Sequence, residues 1–321
     1  MHVLMTGAGG LVGQHLASEL VKDPRITKLT MTDIFVPPAP KPTSWKQEVV
    51  AIKSDLTDLV AIKSLFTTDI SAMYLFHGIM SAQSEASLDL GLKVNIDSMR
   101  LILDHLRQTN HGVRVVFSSS CAIYGPIDGT YSEKTYPEPQ SSYGSEKLIT
   151  EILVNDFSRR GLIDGRILRL PTVVVRPGKP SAAASAFASG LFREPLQGIK
   201  CVLPVSKDIL MWNVSPRTIV KNMLIALDIP VEKFGATRVV NLPGTTYSVQ
   251  EMLDTLEKVG GKKAMSLIEH KIDPETEKMV KSWPAKFDIG RALSLGFVPD
   301  EPMEDAVRYF IETHVKKTAK L

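Results

Sequence analysis

Tyr143 and Lys147 stand four residues apart, so in a helix they share one face, a turn from each other. A phenol has a pKa of about 10 and is a poor base at neutral pH. An ammonium one turn away favours the phenolate. Upstream the chain reads Ser118-Ser119-Ser120, and a serine hydroxyl at the end of a neighbouring strand can hold an alcohol or carbonyl oxygen beside such a phenol. These residues would suit proton transfer at a carbon-bound hydroxyl. The same spacing also arises in any amphipathic helix with Tyr in the core and Lys in solvent, so the surrounding elements have to decide.

The elements point one way. His2–Thr6 reads as a short buried strand and runs directly into Gly7-Ala8-Gly9-Gly10-Leu11-Val12-Gly13. From Gly10 to about Val21, apolar residues recur at helical spacing. Strand, glycine turn and helix together form the context in which a glycine motif signals a dinucleotide. The glycines let the backbone pass beneath a pyrophosphate, and the helix offers unpaired N–H groups to it. Gly7, Gly10, Leu11, Val12 and Gly13 are therefore expected to bind the cofactor. A second strand, Leu29–Thr32, ends at Asp33. A carboxylate there accepts the ribose hydroxyls of NAD and repels the 2′-phosphate of NADP. Lys41 and Lys46 stand against NAD if the Pro-rich segment 37–42 folds back, but no Arg follows Asp33 directly. After a third strand at 49–53, Asp55, with Leu56 beside it, is placed to meet the adenine, or to cap the helix around 60–66.

Strands at 73–76, 113–117 and 165–170 alternate with helices at 88–107 and 143–160. This alternation predicts an α/β fold, a Rossmann-type doubly wound parallel sheet whose ligands lie at the carboxyl ends of the strands. His77, Gly78, Ser118, Ser120, Pro171 and Thr172 all fall at such ends. Residues 1–175 form the expected NAD-binding domain, with part of 205–245 returning to it. Residues 176–321 form a smaller mixed α/β substrate domain, with helices at 182–192, 216–227, 248–259 and 303–316 and strands at 200–203 and 238–242. Ser248 with Glu251 three residues on predicts a capping box.

Composition narrows the function. A net charge of +3 from 38 basic and 35 acidic residues gives no reason to expect a nucleic-acid partner. No apolar run is long enough to span a bilayer, and the apolar start breaks at Gly7, unlike a signal peptide. Two cysteines, Cys121 and Cys201, make neither a disulfide framework nor a metal cluster. The expected location is cytoplasmic, or peroxisomal in a eukaryote, because Ala319-Lys320-Leu321 resembles a small-basic-Leu address.

Thr6-Gly7-x-x-Gly10-x-x-Gly13, Asp33, Ser118-Ser119-Ser120-x-x-x-Tyr124-Gly125 and Tyr143-x-x-x-Lys147 together resemble the extended short-chain dehydrogenase/reductases. Within that superfamily, Ser158–Arg166, Leu170–Gly178, Ala182–Gly190, Arg193-Glu194-Pro195-Leu196, Met211-Trp212 and Ser215-Pro216-Arg217 resemble the D-erythronate dehydrogenase group. The resemblance implies NAD-dependent oxidation of a four-carbon sugar acid at C2 to the 2-oxo acid. It also implies a homodimer formed through helices 88–107 and 143–160. Two departures bear on the alternatives. Thr172 stands where nucleotide-sugar epimerases carry Asn, and Cys121-Ala122 follow Ser120 where dehydratases carry an acid.

In this scheme Tyr143 takes the proton, Lys147 holds the nicotinamide ribose and Ser120 bonds the reacting oxygen. Pro171 and Thr172 orient the carboxamide. Asn95 either anchors a relay water or is a structural amide. A sugar acid needs a cation for its carboxylate, and Arg176 and Arg217 are the candidates, each alternatively a surface ion-pair residue. Ser81 and Ser119 are hydroxyl partners by position. Met211-Trp212 walls the pocket or belongs to the core, and His77, a cofactor-binding candidate by position, is a core histidine rather than a catalyst. An epimerase with tightly held NAD, a reductase of another small carbonyl compound and a non-enzymatic dinucleotide sensor are the competing functions.

Overall fold

The computed structural model describes residues 1–41, 46–178 and 185–315. The start of the helix expected at 182–192, the last residue of the 37–42 segment, residue 316 of the helix expected at 303–316 and the C-terminal Ala319-Lys320-Leu321 lie outside the described residues.

Seven strands form one parallel sheet. They are β1 (His2–Thr6), β2 (Lys28–Asp33), β3 (Glu48–Lys53), β4 (Ile70–Leu75), β5 (Val113–Ser120), β6 (Ile163–Leu170) and, after three strands of other sheets, β10 (Val239–Asn241). The spatial order β10-β6-β5-β4-β1-β2-β3 reverses between β1 and β4. That reversal is the switch point at which doubly wound sheets open a crevice. Val3, Met5, Leu29, Met31, Val116 and Leu168 turn one way, into a core shared with α1 (Leu11–Leu20) and, further on, α8 (Pro216–Asp228). Leu4, Met73, Leu75, Val115, Phe117 and Ile167 turn the other way, into a core under α2 (Leu59–Leu65) and two later helices. The alternation of the strand residues between these two cores accounts for their near-continuous hydrophobic sequence.

The remaining helices follow in chain order. Ser81–Ala86 forms α3, Leu88–Gly91 α4 and Ser98–Thr109 α5, with a π-helical turn at Leu92–Asp97 between the last two. The helix expected at 88–107 runs on through that turn, with helical backbone angles at Gly91, Leu92, Asp97 and Ser98. Ser142–Arg159 forms α6, which packs on α3, α4, α5 and the π turn.

Beyond β6 the chain builds two small sheets. β7 (Thr172–Val173), β9 (Leu210–Val214) and β11 (Thr245–Ser248) form one, and β8 (Cys201–Leu203) and β12 (Ile268–His270) the other. Around them lie α7 (Ala186–Arg193), α9 (Val231–Phe234), α10 (Val249–Met265), α11 (Pro274–Lys281), α12 (Gly290–Ser294) and α13 (Met303–Phe310). A separate core joins Leu191, Phe192, Met252, Leu256 and Phe310. The expected capping box at Ser248 and Glu251 is present. Strands β9 and β11 are not expected from the sequence: Leu-Met-Trp-Asn-Val has four buried residues of five, so it shows no alternation.

Candidate active site

A cavity of ≈ 660 Å³ opens over the carboxyl ends of β1, β4, β5 and β6. Strand β5 delivers Ser118, Ser119 and Ser120 to it. Ser141 caps α6 by accepting the Gly144 N–H at 3.2 Å. Gly144 lets the start of α6 press against the turn after β5, since a Cβ there would stand 2.3 Å from the Ala122 carbonyl oxygen. That close approach brings Tyr143 within hydrogen-bond reach of Ser120. Ser120 Oγ also accepts the Ala122 N–H at 3.1 Å, which keeps its own proton available for an oxygen in the cavity. Lys147 Nζ donates to the Ser118 carbonyl at 3.0 Å and lies 5.6 Å from the centre of the Tyr143 ring.

The electrostatics differ from the sequence expectation. Burial pushes the Tyr143 phenol up to about 12, the charge of Glu146 adds to this, and the Ser120 hydrogen bond opposes it. Burial also lowers Lys147 to about 8. In the protein alone, desolvation outweighs the help expected from Lys147, whose ammonium points at a backbone carbonyl.

The glycine loop fits a dinucleotide. Gly7 has φ +61°, and a Cβ on it would lie 2.5 Å from the Phe76 backbone. An added Cβ at Gly10 would meet only the Gly7 carbonyl, at 3.3 Å, so it would project into the cavity. Gly10 is the N-cap of α1 and offers no side-chain cap, which leaves the first N–H groups of the helix at Leu11, Val12 and Gly13 facing the cavity. Gly78, Ser118, Pro171 and Thr172 line it further along.

Six expected site residues do not line the cavity. Asp33, at the end of β2, accepts the Gly9 N–H at 2.9 Å and the Ile34 N–H at 2.8 Å. Asp55 is exposed and accepts both the N–H and the hydroxyl of Thr57, which hold its carboxyl below the usual range. It does not cap α2, because Asp58 does so through the Val60 N–H. Leu56 is buried in the core. His77 is hydrogen-bonded by Thr6 at 2.8 Å and Ser98 at 2.9 Å, and burial followed by the Lys147 charge lowers it to about 3. Asn95 sits behind the wall, its side chain bonded to Ile79 and Glu146. Its backbone carbonyl accepts the Thr150 hydroxyl at 3.0 Å. Arg217, the other candidate for a substrate carboxylate, pairs with Glu301, stacks on Tyr309 at 4.4 Å and lies half-exposed outside the cavity lining.

At the substrate end, Arg176 faces the cavity. Its Nη2 donates to Ser185 at 3.3 Å and its Nε to Ser189 at 3.4 Å. Among the described residues no carboxylate pairs with it. Burial and the neighbouring Arg193 disfavour its charge, so an anion would be welcome there. Ser81, at the start of α3, lines the cavity, as does Ser119, but the Ser119 hydroxyl donates to Glu151. Glu151 is locked to Arg169 at 2.6 Å in a buried ion pair. Met211 and Trp212 serve both expected roles, since each lines the cavity and packs in a core cluster.

Sequence reasoning missed several lining residues. Arg193 is buried, pairs with Glu194 and donates to the Arg176 carbonyl at 3.1 Å, so it holds Arg176 in place. Met279 and Trp283 come from α11 and the turn after it, and Glu85 from α3. Nothing in local spacing links these distant segments to residue 143. The Arg193-Glu194 dipeptide was the one available hint.

Residues 3–213 match the model of the NAD dependent epimerase/dehydratase family. The chain belongs to that family. It is similar over nearly its whole length to D-erythronate dehydrogenases. The Cupriavidus necator protein is 38% identical, with 97% of this chain and 98% of that one covered. The Haemophilus influenzae protein is 37% identical, with 97% and 99% covered. Among solved structures it is similar to a nucleoside-diphosphate-sugar epimerase from Agrobacterium tumefaciens, with a TM-score of 0.92 and 36% identity over 98% of this chain and 95% of that one. The expected family and the Rossmann-type fold are both borne out.

Proposed function

We propose that this chain is an NAD-dependent dehydrogenase that oxidises the C2 hydroxyl of a small sugar acid, of the D-erythronate type, to the 2-oxo acid. The observation that carries the substrate class is Arg176, a guanidinium with only hydroxyl partners among the described residues, set in the same cavity as Ser120 and Tyr143. A guanidinium fork suits a carboxylate. The cofactor is of the NAD type, and when bound it supplies the hydride acceptor and a positive charge near the phenol. Tyr143 takes the hydroxyl proton and Ser120 donates to the reacting oxygen, while Lys147 would hold the cofactor ribose. NAD is preferred over NADP because the Asp33 carboxylate closes β2 beside the glycine loop, where a 2′-phosphate would meet its charge. The working unit is a homodimer.

The deciding experiment is formation of reduced nicotinamide across a series of four-carbon sugar acids, with UDP-sugars as controls. Net reduction with a sugar acid, and a rise of about 10- to 100-fold in KM in Arg176→Met, are expected. Similarity to the Agrobacterium epimerase favours a second reading, epimerisation with retained NAD. Turnover of a UDP-sugar without net reduction would establish that reading and overturn the first.

A further inference from the structure

Between Tyr143 and Lys147, α6 carries a third ionisable group that the chemistry above does not use. Glu146 is 1% exposed. Its Oε2 accepts from Asn95 Nδ2 at 2.5 Å and from Ser84 Oγ at 2.9 Å. Its Oε1 is buried without a hydrogen-bond partner among the described residues and lies against Gly91, where an added Cβ would stand 2.1 Å away. Asn95 carries the contact onward: it accepts the Ile79 N–H at 2.9 Å and donates to the Ile79 carbonyl at 3.1 Å. Ile79, with Gly78, Met80 and Ser81, walls the cavity. The absence of a side chain at Gly91 makes room for this arrangement.

A neutral amide could serve the same hydrogen bonds, whereas a buried carboxylate with a bare oxygen is costly unless a charge opposes it. On the elements packed against Glu146, the charged side chains Glu85, Asp89, Lys93 and Asp97 are exposed. Glu151, five residues along α6, is held by Arg169, and His77 is kept neutral. The buried cation that remains is Lys147. The charge of Glu146 acts on Lys147 and on Tyr143, raising the proton affinity of both.

We propose that Glu146 is a positioning residue of this site, fixing the wall after β4 through Asn95 and supplying a buried carboxylate between Tyr143 and Lys147 on α6. The activity readout rests on the dehydrogenase reading; direct titration of the phenol does not.

Two charge-removing changes, Glu146→Gln and Glu146→Met, and one charge-keeping change, Glu146→Asp, separate the two roles. The Tyr143 phenol is titrated by ultraviolet difference absorbance against Tyr143→Phe, without substrate. Removing the charge should shift this titration, and the acid limb of kcat/KM, down by about half to one pH unit. Glu146→Asp should leave both where they are and lower kcat/KM about tenfold by loosening the Asn95 contact. The apolar isostere answers the question if the amide variant does not fold. A phenol titration that superimposes on wild type in the folded charge-free variant overturns the proposal, whatever the substrate turns out to be. An unshifted phenol with lowered activity would leave Glu146 a structural residue only.

Discussion

Tyr143 holds its proton to high pH because burial opposes the phenolate more than Ser120 favours it. A base in that state must be drawn down to act, so the oxidation rate should climb with pH across the neutral range. The sign for Ser120 follows from its hydrogen bond, which lowers the phenol pKa. Ser120→Ala should therefore move the acid limb of kcat/KM to higher pH and lower its plateau about 100-fold. Tyr143→Phe removes the base altogether and should cost about 10²–10⁴-fold in kcat. Dinucleotide binding, followed by fluorescence quenching, should change little, because the glycine loop and Asp33 are untouched. Wild-type turnover in the phenylalanine variant would end the proposed chemistry.

At the level of elements, what was legible in the chain is what local sequence encodes. The β1–glycine–α1 unit follows from apolar runs and glycine spacing, and the structure adds the reason, a loop so close to β4 that Gly7 has no room for a side chain. The start of β5 and the ends of α6 were legible for the same cause, while β5 itself runs to Ser120, three residues past the expected end. Residues brought in from far along the chain were not. Arg217 follows a helix-capping Ser215 and reads as poised for a ligand, yet Glu301, 84 residues later, claims it. Arg193 and Trp283 reach the cavity only because α7 and α11 fold over it, a matter of tertiary packing that no spacing announces. The capping box of α10 shows the opposite limit, a contact set wholly by neighbours. Ser248→Ala should cost about 1 kcal/mol in denaturant unfolding, with KM unchanged, because α10 lies outside the cavity lining. A KM change in that variant would instead tie α10 to the substrate.

Association of two copies is proposed through the outer helices beside the cavity. It would cover apolar surface. Leu88 and Leu92 lie one turn apart at 57% and 39% exposure, and Ile149 and Ile152 lie on α6 at 42% and 61%. Pairs at these spacings fall on one helix face, and α4 packs beside α6, which sets the two apolar stripes on neighbouring helices. Four large side chains grouped in this way are costly to leave in water. A two-fold pairing would bury the same patch on both copies. The opposite face of α6 carries Tyr143 and Lys147, so a charge placed on the outer face should not disturb them. Ile149→Lys combined with Ile152→Lys should convert a dimer into a species of 35.3 kDa in sedimentation equilibrium. The same variant should keep kcat within about threefold, because Ile149 and Ile152 lie on the outer face of α6, away from Tyr143 and Lys147. A wild-type protein that sediments at 35.3 kDa would remove the dimer from the proposal. Loss of activity with monomerisation would instead mean that packing across the helices holds α6, and with it Tyr143, in register.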